Sequence, residues 1–599
     1  MSALKKLKSA CDIHDLAKLL NFKSSNIAYV IYKLKEEEKY FSFEIIKTSG
    51  GLRTINAPEP KLKNLQSNLA SLLQECLTEI EKTSQIKSTA SQAFQPEKSI
   101  ITNASLHRKK RFIFNIDIED YFGSINFGRV RGFFIKNKNF ELDPKVATLI
   151  AQIACYRNKL PQGSPASPII SNLISHILDM RLIELSAKNK CFYTRYADDI
   201  TFSTNLTEFP QEIAYESEDK IWSPSKKLIN LISKNGFNIN YQKVRMQLKF
   251  SRQEVTGLTT NKIINTPIEY RKNARAMVRS LIMKGSFHMP KEEKEASIEQ
   301  LHGILSFIDH VKSVTKHGHS SDLHSQPVAK EEKKSSFEKD FSDFLFYKYC
   351  YAPTKPLIIC EGKTDNIYLK CAIKSMGSKY PKLIHQSNEK NLKIDFFKYS
   401  RSQGGDSQKG RLLELRGGEG NLKNFISAYE KNCKKIRAPG KLHPVIILID
   451  NDKGGKKILS LIKSLKRETS SVTGDEDYYF MNNNLYVIPI PDIMGNKNTS
   501  IEDFFYKKTL NRKLNGRVFN RKNDHSGKKF YGKYEFAQKI IQKDYKNINF
   551  SKFTKILDRI ELVISDYKRG LINKAPQDSR ADHQISITPT RLLTANLSH

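Results

Sequence analysis

The chain has one tryptophan, Trp222, and eight cysteines, none of them in a Cys-x-x-Cys pair. Scattered thiols exclude a disulfide framework and a paired-cysteine zinc site, and fit the reduced thiols of a cytoplasmic protein. No long uncharged apolar run occurs, so no bilayer-spanning helix is expected. The opening stretch Met1-Ser2-Ala3-Leu4-Lys5-Lys6 lacks the apolar core of a signal peptide. Together these set the expectation of a cytoplasmic location without a membrane partner. Acidic residues are scarce too: 63 Asp and Glu stand against 100 Lys and Arg, a formal net charge of +37. That excess points to a polyanion, with nucleic acid the first candidate and an anionic surface the second. At 599 residues the chain is too long for one core, so two or more domains are expected.

Against this background one stretch stands out. Phe192-Tyr193-Thr194-Arg195-Tyr196 and Ile200-Thr201-Phe202-Ser203 bracket Ala197-Asp198-Asp199, aromatic and β-branched residues around two acids. The pattern predicts a β-hairpin with Asp198 and Asp199 at its tip. An exposed Asp-Asp turn is the ordinary reading. Acids crowded beside apolar walls need a cation to stay ionised, and paired divalent ions suit phosphoryl transfer.

Upstream, residues 1–40 read as short helices. Phe41 to Lys47 and Leu52 to Pro58 flank Gly50-Gly51 and predict a hairpin with Lys47 and Arg53 on its two arms. Two cations so placed could grip a triphosphate or a nucleic-acid backbone, or merely face solvent. A helix is expected over about Leu62 to Thr83. Phe112 to Ile116 reads as a buried strand ending at Asp117, which would complete a metal site or cap a following helix. Leu160-Pro161-Gln162-Gly163-Ser164-Pro165 is a loop running into an apolar helix from Ile169. Tyr270 to Val311 is helical and basic. Residues of about 313–336 are polar and read as a linker or an exposed insertion.

In this order the motifs resemble reverse transcriptases, and among them those of bacterial retrons. Asp117-Ile118-x-Asp120-Tyr121-Phe122 resembles the first catalytic motif, and Leu160-Pro161-Gln162-Gly163-Ser164-Pro165 the template-and-nucleotide loop. Tyr196-Ala197-Asp198-Asp199 resembles the metal hairpin, Asn235-Gly236-Phe237-x-Ile239-Asn240-x-x-Lys243 the motif after it, and Val255-Thr256-Gly257-Leu258 the primer grip. Ser99 to His107 is similar to a retron-type segment. The resemblance covers roughly residues 20–312 and implies a right-hand polymerase of fingers, palm and thumb. By that resemblance Asp117, Asp198 and Asp199 hold two Mg²⁺ ions and catalyse nucleotide transfer. Lys47 and Arg53 grip the incoming deoxynucleoside triphosphate, Phe122 is the gate against a ribose 2′-hydroxyl, and Gln162 and Gly163 wall the nascent pair.

A second chemistry begins near Lys355. Pro356-Leu357-Ile358-Ile359-Cys360 reads as a buried strand followed by Glu361-Gly362, and Val445 to Ile449 as another, followed by Asp450-Asn451-Asp452. A third run, Leu485 to Pro491, precedes Glu502. Strand-end acids of this kind can share a metal, or simply end the strands of a doubly wound domain. Glu361-Gly362 with Asp450-x-Asp452 resembles the Toprim domain of topoisomerases, primases and OLD-family nucleases. Glu502 resembles a further acid of OLD-like members, and Lys533 a lysine that assists their catalysis. The resemblance implies that Glu361, Asp450, Asp452 and Glu502 bind Mg²⁺ or Mn²⁺ for phosphodiester hydrolysis.

The expected fold is therefore multidomain, α+β then α/β. The expected segments are an N-terminal helical segment (1–40), fingers and palm (41–245), thumb (246–312), linker and connecting helix (313–350), Toprim-type domain (351–570) and polar tail (571–599). The resemblance implies an enzyme that copies a structured non-coding RNA into branched single-stranded DNA (msDNA), primed from an RNA 2′-hydroxyl. The fused nuclease would be the effector in antiphage defence; homo-oligomerisation is left open. A group II intron-like or other mobile-element reverse transcriptase with a DNA-nicking domain is the alternative, and a non-enzymatic nucleic-acid scaffold is a third reading.

Overall fold

The structure, a computed structural model, describes residues 2–46, 50–84, 90–317, 334–386, 391–399, 407–466, 472–493, 495, 498–521 and 529–574. Of these, 2–271 and 307–317 form one compact unit, and 272–306 with 334–574 form the other. The stretch expected as the thumb, 246–312, is divided between the two units.

In the first unit, the hairpin arms Tyr40–Ile46 and Leu52–Pro58 pair antiparallel, from Tyr40 opposite Pro58 to Ile46 opposite Leu52. Gly50 and Gly51 both adopt left-handed φ (88° and 82°), which side chains would resist. The helix Pro60–Ser84 starts on a proline, which fixes φ without losing a needed donor. It buries Leu62, Leu65, Leu69, Leu73 and Cys76, spaced three and four apart on one stripe.

The centre of the unit is a four-stranded antiparallel sheet ordered Phe192–Tyr196, Asp199–Thr204, Phe112–Asp117, Arg245–Leu248. Alternation decides what each face does. Phe114 and Ile116 join Ile200, Phe202 and, from the helix Ser167–Lys188, Leu178 and Leu182 in the main core. Ile113, one residue out of phase, belongs instead to a cluster with Val255, Leu258, Ile264 and Val311. Asn115 and Asp117 share the phase of Ile113, so Asp117 leaves the sheet on the face away from the main core.

The helix Ile298–His317 runs further than the polar composition of residues 313–317 suggests. Val311 is fully buried and Val314 packs beside it, so tertiary contact carries the helix through polar residues. The rest of the expected linker, 318–333, and the tail beyond 574 lie outside the described residues.

The second unit is built on a five-stranded sheet ordered Asp395–Phe396, Leu357–Cys360, Val445–Ile449, Leu485–Pro489, Tyr479–Asn482. The first four strands are parallel and the last antiparallel. Leu357–Cys360 and Val445–Ile449 are buried along their whole length, as parallel strands covered on both faces must be. Ile358, Cys360, Ile446 and Leu448 pack with Tyr368 and Leu369 of the helix Asp365–Ser375 and with Ile556, Leu557 and Ile560 of the helix Thr554–Lys574. Parallel strands end together, and here both end on acids. Among the described residues no helix is long and apolar enough to cross a membrane.

Candidate functional site

The hairpin tip is tighter than its sequence suggested. Tyr196 pairs with Asp199, leaving only Ala197 and Asp198 in the loop. Ala197 has φ 56°, the positive value a type II′ turn requires at its first loop position. An alanine held there costs roughly 1–2 kcal/mol. The surrounding structure holds it: Ile118 donates its backbone N–H to the Asp198 carbonyl at 3.0 Å, and Arg195 donates to the Ala197 carbonyl at 3.1 Å.

Asp117 and Asp199 are direct cross-strand partners, so their side chains leave the same face. Like charges so placed repel, and the site shows it. Asp199 is pushed up to about 6, first by the desolvation of its crowded surroundings, then by Asp198 and Asp117. Asp198 is raised by desolvation and then by Asp117, with Lys243 and Arg53 pulling the other way. The Asp199 side chain nevertheless reaches solvent. Asp117 is 5% exposed and accepts hydrogen bonds from Lys243 Nζ at 2.8 Å and Asn240 Nδ2 at 3.3 Å. Partial burial works against the Lys243 charge, but Asp117 and the two other acids hold its pKa above the ordinary lysine value.

Among the described residues no three Asp, Glu, His or Cys groups are drawn together as a formed metal cluster. The donor set still fits a hard divalent cation. Three carboxylates meet at one strand end, two are raised by crowding, and one is neutralised by a half-exposed lysine that can swing away.

The loop from Leu160 is fixed against the hairpin of Tyr40–Ile46 and Leu52–Pro58. Asn56 donates its N–H to the Gln162 carbonyl at 2.7 Å. Gly163 sits at φ 123°, and a Cβ there would lie 2.6 Å from the Asn56 carbonyl oxygen. Only glycine allows this approach. Gln162 and Gly163 thus join the strand that carries Arg53, which is exposed and whose charge reaches Asp198. Phe122 is half-buried, 5.3 Å from the Tyr121 ring and 6.3 Å from the Phe94 ring between centroids. Lys47 lies outside the described residues.

The second unit gathers its own acids. Glu361 follows one strand and Asp450 the adjacent one; Asp450 donates its N–H to Glu361 Oε2 at 3.2 Å. Asp450 Oδ1 accepts from Ile501 N at 3.2 Å, tying the short helix Ile501–Phe504 and its Glu502 to the site. Asp452 Oδ1 takes the free N–H groups of Gly454 and Gly455 at 2.8 and 3.1 Å, capping the helix Lys453–Lys466. Gly455 is required there, since a Cβ would fall 1.7 Å from the Asp450 carbonyl oxygen. Glu502 is 1% exposed; Lys533 Nζ stands 3.1 Å from its Oε1, and neither carboxylate oxygen has a further hydrogen-bond partner among the described residues.

Two acids here escaped the sequence reading. Asp365 is 5% exposed, accepts from Gly362 N at 2.8 Å, and is pushed up to about 7 by burial and by Glu502. Glu419, at the head of the helix Glu419–Lys434, raises Glu361 together with burial and Asp452. Asp450 is raised well above the carboxylate range by burial, then by Asp365, Glu502, Glu361 and Asp452. Asp365 stood in plain view four positions after Glu361; nothing in the spacing pointed to Glu419. In the first unit the missed residues are Lys243, named only within a motif, and Arg195, one position before the hairpin loop's flanking tyrosine.

Residues 45–299 match the family described as reverse transcriptase (RNA-dependent DNA polymerase). The chain is 29% identical over 303 residues to the retron Ec86 reverse transcriptase of Escherichia coli, spanning 50% of this chain and 85% of that protein. It is also 29% identical over 297 residues to the retron Mx65 reverse transcriptase of Myxococcus xanthus, spanning 47% of this chain and 63% of that one. A solved telomerase from Candida albicans, bound to a fragment of telomeric RNA, overlaps 66% of this chain and 65% of its own at 11% identity, with a TM-score of 0.30. The matched residues carry the antiparallel sheet with Asp117, Asp198 and Asp199, and their curated relatives are retron reverse transcriptases.

Proposed function

We propose that the first unit is the polymerase of a retron: it copies a structured non-coding RNA into branched single-stranded DNA, primed from a 2′-hydroxyl of that RNA. The observation that carries the reading is the register of the central sheet, which sets Asp117 opposite Asp199 and beside Asp198 within a reverse transcriptase domain. These three carboxylates would hold Mg²⁺, which when bound lowers the pKa of an attacking hydroxyl and neutralises a leaving pyrophosphate. The chain's own groups do the rest. Arg53 balances charge on the deoxynucleoside triphosphate, joined by Lys47 through the family resemblance. The backbone at Gln162 and Gly163, held to Asn56, forms a wall against which the new pair is oriented. The Phe122 ring takes the room a 2′-hydroxyl would need. Lys243 holds Asp117 in place with its carboxylate directed outward.

The second unit is proposed to be a Toprim-type phosphodiesterase, the effector of an antiphage system. Support comes from Glu361, Asp450, Asp452 and Glu502 gathered at the ends of parallel strands, where ligands of such sheets bind. Mg²⁺ or Mn²⁺ held there would polarise a phosphodiester, and Lys533 beside Glu502 would offer an ammonium to its charge.

Sequencing the nucleic acid that co-purifies with the chain tests the first reading. A covalent RNA–DNA branch is expected, absent from Asp198→Ala/Asp199→Ala; full-length DNA from that variant would overturn the assignment. Glu361→Ala is expected to leave DNA synthesis intact and to abolish both nuclease activity and phage protection. Unchanged protection would reduce the second unit to a structural part.

A further inference from the structure

Gly454 lies in the first turn of the helix Lys453–Lys466, where glycine is a poor helix former. Its backbone does not ask for glycine, since its φ lies outside the left-handed region. Its neighbour Gly455 is explained by the Asp450 carbonyl; Gly454 is explained by what a side chain would displace. A Cβ at Gly454 would stand 3.0 Å from Glu419 Oε2, 3.2 Å from Asp452 Oδ1 and 3.3 Å from Glu361 Oε1. Three carboxylates from three separate elements therefore face one small space, and glycine keeps that space open.

Glu419 is delivered there by a constructed turn. Gly417 and Gly418 take φ of 89° and 83°, and Gly418 donates its N–H to the Glu361 carbonyl at 3.3 Å. The loop is thus fastened to the residue whose side chain Glu419 faces. Glu502 belongs to the same acidic group: it is 1% exposed, raises Asp450 and Asp365, has the Lys533 ammonium 3.1 Å from its Oε1, and has no further hydrogen-bond partner among the described residues. Six carboxylates (Glu361, Asp365, Glu419, Asp450, Asp452 and Glu502) gather around Lys533 and Lys457, the latter paired with Glu419.

We propose that Glu419 is a cation ligand: with Glu361 and Asp452 it forms a divalent-metal site in the second unit, in the space that Gly454 leaves open. The proposal deepens the phosphodiesterase reading of that unit and rests on it. All-oxygen donors suit Mg²⁺ or Mn²⁺, and closing on either would draw the oxygens inward by about 1 Å. Lys457 holds Glu419 until the cation arrives.

The test is Mn²⁺ binding to the full chain, followed by electron paramagnetic resonance in an Asp198→Asn/Asp199→Asn background that silences the first unit's acids. The background chain is expected to bind Mn²⁺. Glu419→Gln is expected to weaken that binding at least tenfold, and Glu419→Asp to restore part of it. Gly454→Ala, which removes no charge, should weaken binding comparably by filling the space. Glu430→Gln removes the same charge from the exposed side of the same helix and should change nothing. If the background chain binds no Mn²⁺, the phosphodiesterase reading itself falls. If it binds Mn²⁺ and both Glu419→Gln and Gly454→Ala match it, Glu419 is no ligand and the proposal is overturned.

Discussion

Arg195 and Asp179 form a bidentate ion pair with almost no contact with solvent, Nε to Oδ1 at 2.8 Å and Nη2 to Oδ2 at 2.7 Å, directly behind the acidic turn. The same guanidinium donates to the Tyr121 hydroxyl at 2.9 Å and to the Ala197 carbonyl. Tyr193 donates its hydroxyl to Asp179 at 2.7 Å. Burial works against the Arg195 charge, and Asp179 outweighs it, holding the guanidinium above its ordinary value. Both Asp179 oxygens find donors, which is the condition under which a buried pair is tolerated.

Breaking one side of this pair should therefore be severe. Arg195→Met leaves Asp179 buried and unpaired, and a loss of about 3–5 kcal/mol is expected. Urea unfolding of the variant measures it. Replacing both partners, Arg195→Met with Asp179→Leu, should recover much of that stability but not DNA synthesis, because the Ala197 carbonyl has lost its donor. A single Arg195→Met variant as stable as the parent chain would show that the pair does not hold the turn.

Gly163→Ala should separate catalysis from stability. The added methyl meets the Asn56 backbone at 2.6 Å, and φ of 123° is closed to alanine. The loop must leave the hairpin, and with it goes the link between Gln162 and the strand of Arg53. The expected outcome is a rise in KM for deoxynucleoside triphosphates of tenfold or more, with the far-ultraviolet circular dichroism of the chain unchanged. An unaltered KM would mean the nucleotide does not depend on this junction.

His107 sets a pH limit on stability. It is fully buried between the Ser203 and Thr194 hydroxyls, at 2.7 and 2.8 Å, and desolvation, helped by Lys110, drives its pKa down to about 3. The folded chain keeps the ring neutral, while the unfolded chain binds a proton below about pH 6.5. Its contribution is therefore complete above that pH and is lost as the pH falls from about 6.5 toward 3, by about 1.4 kcal/mol per pH unit. His107→Gln should flatten the pH dependence of the unfolding midpoint across that window. An identical slope in parent and variant would mean that His107 titrates normally in the fold.

These residues also show where sequence reading succeeds. Asp117 and Asp198-Asp199 were legible as a strand end and a hairpin tip because strand and hairpin signals are local; the face that Asp117 takes is set by the sheet register. Gly163 was legible as a loop glycine, but its reason, the Asn56 carbonyl, is a contact between segments far apart in the chain. Arg195 was hidden for the opposite cause. An arginine in a strand beside aromatic residues reads as solvated until the helix carrying Asp179 is packed behind it. Glu419 was hidden because a glycine pair, not a strand, delivers it to Glu361. Lys533 and Glu502, 31 positions apart in sequence, were named separately and meet at 3.1 Å.

Lys243 supplies the last prediction. Its ammonium rests on Asp117 at 2.8 Å, where it neutralises one of three acids that together favour a divalent cation. Lys243 and that cation compete for the same negative field. Lys243 is about half exposed, so solvent screens its charge and the competition is worth roughly 1 kcal/mol, not the several that a buried pair would suggest. At pH 8 Asp199, pushed up to about 6, is ionised and protons do not enter the balance. Lys243→Met should then bind Mn²⁺ at the first unit's acids roughly fivefold more tightly than the parent chain, measured with Glu361→Gln in both chains to weaken the second unit's site. Weaker binding would show that Lys243 orders Asp117 for the cation more than it opposes it, and that the resting contact belongs to the loaded site as well.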